Sequence, residues 1–250
     1  MTASSLQSRF RAAYGEQRAA EGRALNRELM RELPYLSVGR LAGQWAVRAR
    51  TFDAFVTRIV QPMARRLARP LRVLDLGAGN GWLSWRMSLA GHEAVAVDLR
   101  DDRVDGLGAA EAYLETDGRF ERVMQRCIEH DDVEIAAALR DARHTARAGA
   151  RIVILDSPFY AREADGERML EEKRREAMMR FAERAEALMS LPFVEYLTRA
   201  RLAAASEGLG LAWRRHRVRY PLRYELRPLV ARVRGHRTPS RFDLWEAVVA

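Results

Sequence analysis

Val73-Leu74-Asp75-Leu76-Gly77-Ala78-Gly79-Asn80-Gly81-Trp82 is the stretch on which the reading of this 250-residue chain turns. Its start belongs to a short apolar run, Leu71 to Leu76, of the kind that forms a buried parallel strand. Three glycines follow, then a helical pattern from Trp82 to Ala90 closed by Gly91. Glycines between a strand and a helix allow a tight turn and let a ligand touch backbone. The amides at the helix start face that ligand with a partial positive charge. Two details narrow the ligand. A dinucleotide fingerprint needs a further glycine three positions after Gly79, so that helix and strand can approach; Trp82 stands there and is too bulky. Asp75, at the strand end, would repel a pyrophosphate, whereas a cofactor with a cationic amino-acid end and no phosphate tolerates it.

Ala94 to Val97 predicts a second buried strand, ended by Asp98, which follows Gly79 by 19 residues. A carboxylate there can accept both hydroxyls of a ribose. Asp75 capping the following turn and Asp98 acting as a helix N-cap are the structural alternatives. Upstream, Ser4 to Leu33 and Gln44 to Val60 carry apolar residues three or four apart and predict helices; Pro34 ends the first, and Pro62 stops the second or starts a further turn. Downstream, the pattern predicts helices over Asp132–Arg147, Glu163–Ser190 and Arg199–Glu207, and strands over Arg151–Leu155, Leu211–Tyr220 and Arg241–Val249. Strands alternating with helices after residue 70 mean βαβ units and an α/β fold.

Asp75-Leu76-Gly77-Ala78-Gly79-Asn80-Gly81, with Asp98 closing the next strand, resembles the first two motifs of the class I S-adenosylmethionine-dependent methyltransferases, small-molecule and type 11-like, over about residues 45–250. The resemblance implies a Rossmann-like, mostly parallel sheet with an antiparallel last strand at Phe242–Val249. It implies S-adenosyl-L-methionine as cofactor, bound by Asp75, Gly77, Ala78, Gly79, Asn80, Gly81, Asp98 and Leu99. Gly77, Ala78 and Gly79 would line its methionine part and Asp98 would hold its ribose. Small-molecule members often carry N-terminal helices over the pocket, and residues 1–68 read as such a lid. The α/β domain would then occupy 69–250, with a helical insertion at about 161–207. Tyr35 and Trp45 would sit near the sulfonium, where an aromatic face favours a cation, or else serve as helix-packing aromatics.

The chain departs from that pattern between Asp98 and Arg151, where 52 residues stand in place of two further strand–helix pairs. A strand, its helix and their turns need about 20–25 residues. With Asp132–Arg147 helical, only Phe120 to Ile128 remains, so one central strand is expected to be missing or degenerate. Arg151–Leu155 is then the fifth strand. In the competing registration it is the fourth, and Asp156-Ser157-Pro158-Phe159 echoes the Asp-Pro-Pro-aromatic motif of enzymes that methylate amino groups in nucleic acids. His130 is placed as general base after the fourth strand, with a solvated helix-start histidine as the plainer reading. Tyr160, just past the strand ending at Leu155, is placed with Tyr35 on the substrate side. The expected activity is methyl transfer to a small molecule. A non-catalytic protein of the same fold, and a nucleic-acid methyltransferase or RNA-binding protein, are the alternatives.

Composition sets the outer bounds. A hydrophobic fraction of 48% with 31% charged residues excludes global disorder. One cysteine, Cys127, excludes a disulfide framework, and the histidines show no metal-ligand spacing, so no metal site is expected. No membrane span and no secretory leader are expected, which makes a soluble, cytoplasmic protein without a membrane partner the default. The net charge of +9 is uneven: Arg199 to Arg241 holds 12 arginines against Glu207 and Glu225, whereas Met1 to Thr198 holds 31 cations against 30 acids. Those arginines are expected to coat the last strands or meet an anionic small substrate rather than grip nucleic acid. A missing strand would leave a sheet edge open to a second chain.

Overall fold

Leu71 to Leu76 forms the strand its apolar run predicts. β1 (Arg72–Leu76) pairs in parallel with β2 (Glu93–Val97), in the register Arg72↔Glu93 to Leu76↔Val97, so the two strands end level. The computed structural model describes residues 25, 27–76, 78, 81–97, 134–181 and 196–250. These fall into two compact units, one within Gln17–Gln125 and one within Arg126–Ala250. The residues between β2 and 134, where the missing or degenerate central strand is expected, lie outside the described residues.

In the first unit, α1 (Arg27–Glu32), α2 (Ala42–Phe55) and α3 (Gln61–Leu67) pack with β1, β2 and α4 (Trp82–Leu89). The helix predicted over Gln44–Val60 does not stop at Pro62. It passes through a π-helical turn, Val56–Val60, and runs on to Leu67, with Pro62 in the first turn of α3. Proline has no N–H to give a preceding carbonyl, and the widened turn ahead of it absorbs that loss.

Trp82 explains why no glycine stands at its position. Its ring meets Trp45 edge-on at 6.0 Å and Phe52 at 5.5 Å, and it is 9% exposed. Such edge-to-face pairs add about 0.5–1.5 kcal/mol each beyond simple burial. One turn later on the same helix face, Arg86 donates to the carbonyls of Arg31 (3.0 Å), Glu32 (2.9 Å) and Leu33 (2.6 Å). These oxygens end α1 and have no intrahelical donor, and the guanidinium also complements the negative end of the helix dipole. Met30, Leu33 and Met87, all fully buried, complete the apolar core here.

The second unit contains α5 (Glu134–Thr145), β3 (Arg151–Ile154), α6 (Glu163–Phe181), α7 (Arg199–Ala205), β4 (Trp213–His216), α8 (Leu222–Glu225), α9 (Arg227–Val233) and β5 (Leu244–Val248). β5, the last strand, lies between β3 and β4 and runs antiparallel to both, as the resemblance implies for a final strand. The mostly parallel sheet expected from the sequence is not what the described strands form: one parallel pair stands in the first unit and an antiparallel set of three in the second. Leu139, Ile152, Phe159, Leu197, Leu202, Trp245 and Val249 form the core of the second unit, with Phe159 stacked on Trp245 at 4.8 Å. Across its sheet, the buried Glu246 carboxylate takes the Arg151 guanidinium on one oxygen and has His216 Nε2 2.6 Å from the other. Gly166 is required where α6 meets Tyr196, because a Cβ there would stand 2.1 Å from the tyrosine ring. Two features differ from the sequence expectation. β4 and β5 are shorter than predicted, and residues 222–233 are helical where no helix is predicted.

Replacing Trp82 by alanine should lower the unfolding free energy by about 3–5 kcal/mol in urea titration, the cost of emptying a buried aromatic site. Leu222→Ala, at a 73% exposed position, should change it by no more than about 0.5 kcal/mol.

Candidate functional site

The end of β1 is where sequence and structure converge. Asp75 is 9% exposed there, and its Oδ2 accepts a hydrogen bond of 2.9 Å from Ser84 Oγ, itself fully buried in the first turn of α4. The chain turns between them. Gly81 has φ of 74°, a left-handed conformation that suits glycine, and its amide donates to Ala78 O at 2.9 Å. Trp85 then donates to Gly81 O at 2.9 Å, which starts the helix. Among the described residues no side chain caps the start of α4. A helix start of this kind presents backbone N–H groups and a partial positive charge.

The sequence-predicted cofactor residues are placed in part. Asp75, Ala78 (8% exposed) and Gly81 come together at the end of β1. Gly77, Gly79, Asn80, Asp98, Leu99 and the predicted base His130 lie outside the described residues. Leu76 and Val97, the residues directly before Gly77 and Asp98 in the chain, are a register pair.

Tyr35 belongs to the same unit. Its hydroxyl donates to Asp53 Oδ1 at 2.8 Å, its ring meets Phe52 edge-on at 6.3 Å, and the Arg86 guanidinium lies 5.1 Å from its centroid. Partial burial and the Asp53 carboxylate push the phenol up to about 12. Trp45 is a packing aromatic, covered by Trp82 on one side and by the Arg48 guanidinium 4.7 Å from its ring. Tyr160 belongs to the second unit and is 6% exposed. Its hydroxyl accepts from Arg237 at 3.0 Å and its ring meets Tyr196 edge-on at 5.8 Å.

Part of the basic C-terminal stretch is paired with acids of the same chain. Arg215 binds Asp243, Arg237 binds Glu172 at 2.8 Å, and Arg201 binds Glu163. Arg241 grips Glu225 with both terminal nitrogens, at 2.8 and 3.0 Å. Those hydrogen bonds from Arg241 outweigh partial burial and hold the Glu225 carboxyl down at about 2. Burial by itself would raise Glu163, yet hydrogen bonds from Tyr196, Arg201 and Thr198 together keep it below the usual carboxylate range. Tyr196 in turn is raised to about 12 by burial and by Glu163. The sequence reading missed Ser84 and these ion pairs. A hydroxyl in the first turn of a helix that follows a strand-end acid was the one available signal for Ser84.

Among the described residues no group of three or more His, Cys, Asp or Glu could hold a metal ion, and no helix is long and apolar enough to cross a membrane. No family model and no curated protein matches the chain. Among solved structures it is similar to magnesium protoporphyrin IX methyltransferase from Synechocystis PCC 6803, crystallised with bound SAH. The identity is 13% and the TM-score 0.48, with 88% of this chain and 93% of that chain covered.

Ser84→Ala removes the hydroxyl that Asp75 accepts from inside the protein and should cost about 1–3 kcal/mol in thermal or urea denaturation. Glu225 has a folded pKa near 2 against an ordinary 4.5. Its depressed value means that its contribution is present above the ordinary value and is lost as pH falls towards the folded one. Stability should therefore decline from about pH 4.5 towards pH 2, and Glu225→Gln should flatten that part of a stability–pH profile.

Proposed function

We propose that this protein transfers a methyl group from S-adenosyl-L-methionine to a small-molecule acceptor. The carrying observation is the parallel register that ends β1 and β2 level at Leu76 and Val97, immediately before Gly77 and Asp98 in the chain. In an open α/β sheet, ligands bind at the carboxyl ends of the strands. The residues at hand fit this cofactor better than a dinucleotide. Asp75 sets a buried carboxylate at the strand end, suited to an ammonium and hostile to a pyrophosphate. Trp82 stands where a dinucleotide fingerprint needs glycine, its ring set against Trp45 and Phe52.

On this reading Asp75 and the backbone at 77–81 hold the amino-acid end, and Asp98 and Leu99 hold the nucleoside, with Asp98 accepting from the ribose hydroxyls. The cofactor, when bound, supplies a methyl group activated on a sulfonium for in-line displacement. The chain contributes proximity and alignment, which can supply a large share of the barrier reduction. His130 takes the proton of a hydroxyl or amine acceptor. Tyr35 and Tyr160 are the proposed contacts to substrate, the helices before residue 68 cover the cofactor as a lid, and the protein works in the cytoplasm. The proposed acceptor is anionic, as the arginine excess of the sequence suggests. A nucleic-acid substrate is less favoured, because Arg201, Arg215, Arg237 and Arg241 are already committed to carboxylates.

Titration calorimetry with S-adenosylhomocysteine tests the reading. The wild-type chain should bind, and Asp98→Ala should weaken binding at least about tenfold through loss of charge-assisted hydrogen bonds. No detectable heat at millimolar ligand contradicts the proposal. Binding without methyl transfer to any acceptor would favour a non-catalytic protein of this fold.

A further inference from the structure

Residues 222–233 carry large apolar side chains outward. Leu222, Leu226, Leu229, Val230 and Val233 are 73, 43, 59, 45 and 80% exposed. Their spacing of four, three, one and three places all five on one stripe of a helix, and α8 and α9 join through Leu226, which keeps helical backbone angles. The opposite side is tied down. Tyr224, Glu225, Arg227, Pro228 and Ala231 are half-buried. Glu225 is clasped by Arg241, and Arg227 donates to Ser240 O at 2.8 Å while its guanidinium lies over the Tyr224 ring at 3.5 Å. The segment ends in two backbone bonds, Gly235 N to Arg232 O and His236 N to Ala231 O, that close its last turn. The outward apolar stripe is thus held in place by its inner face.

Charge tells what the stripe meets. Arg223 and Arg234 flank it on one side and Arg232 on the other, all exposed, with Arg219 just ahead of the segment. The only acid from Gly208 to Arg241 is Glu225, and it faces inward onto Arg241. A second copy packed on this face about a twofold axis would bring arginine against arginine. An anionic lipid surface satisfies both parts at once: the leucines and valines enter the headgroup–acyl boundary and the flanking arginines reach the phosphates.

We infer that the outward face of residues 222–233 binds an anionic membrane surface, docking the protein peripherally without crossing it. The sequence expectation of no membrane partner rests on the lack of a spanning segment, which has no bearing on an amphipathic helix lying in the interface. The inference is independent of the proposed cofactor.

Co-sedimentation of the full-length chain with vesicles tests it. Vesicles of phosphatidylcholine with about 30 mol % phosphatidylserine should retain the protein at least about tenfold more strongly than phosphatidylcholine alone, and added salt should weaken retention. The triple variant Leu222→Gln, Leu229→Gln, Val233→Gln should lose about tenfold or more of that partitioning, with circular dichroism and thermal midpoint unchanged. The charge variant Arg223→Glu, Arg232→Glu, which leaves the apolar stripe intact, should lose it on anionic vesicles alone. Equal retention of wild type and both variants, or no retention on anionic vesicles, would overturn the inference. A wild-type dimer in sedimentation equilibrium that the triple variant abolishes, without vesicle binding, would assign the face to a second copy and overturn it as well.

Discussion

The hydrogen bond from Ser84 Oγ to Asp75 Oδ2 fixes the geometry on which the functional reading depends. An acid 9% exposed at a strand end is costly to keep there unless donors meet it, and Ser84 is one such donor, delivered by the helix that follows the glycine turn. The same short helix serves two further purposes. Trp82 and Arg86, four residues apart, face the N-terminal helices, while Ser84 faces the strand end. One helix of eight residues therefore positions the carboxylate, closes the turn through Gly81 and anchors α1 and α2 beside it. The residue that stands where a dinucleotide fingerprint needs glycine is the same residue that holds the aromatic cluster together.

The arginine-rich C-terminal stretch illustrates how little net charge says about partners. Its excess first suggests a polyanion, but the pairs with Glu163, Glu172, Glu225 and Asp243 spend much of it inside the fold. Arginine suits this use because its planar fork meets a carboxylate with two donors at once, as Arg241 does on Glu225. Among the arginines that stay exposed, Arg219, Arg223, Arg232 and Arg234 stand beside apolar side chains that the interior does not need.

The strands β1, β2 and β3 and the turn before Trp82 were legible in the sequence, because each is written in local period and glycine placement, whereas the antiparallel direction of the last strand was implied by the family resemblance alone. The same local signals left Pro62 as either the helix end or the start of a further turn, the latter being what the π turn allows, and hid the helices at 222–233. There Leu222, Leu226, Leu229, Val230 and Val233 keep a helical spacing, but Pro221 and Pro228 punctuate the segment and read as breakers. Nor could spacing reveal the Glu246 contacts with Arg151 and His216, or the Arg86 bonds to α1, since they join residues 30 to 95 positions apart. At the candidate site, Asp75 and the glycine turn were readable from the pattern. The role of Ser84 was not, because a serine in a first turn has many local partners and only the tertiary fold selects one.

The central claim is that the ends of β1 and β2 form the cofactor edge, and amide chemical-shift mapping on the isotope-labelled protein tests it most directly. On addition of S-adenosylhomocysteine, the account predicts shifts at Gly77, Ala78, Gly79, Gly81 and Asp98, with Ser84 responding through Asp75. Shifts confined to the arginine-rich segment from Arg199 to Arg241, or none at millimolar ligand, would contradict it.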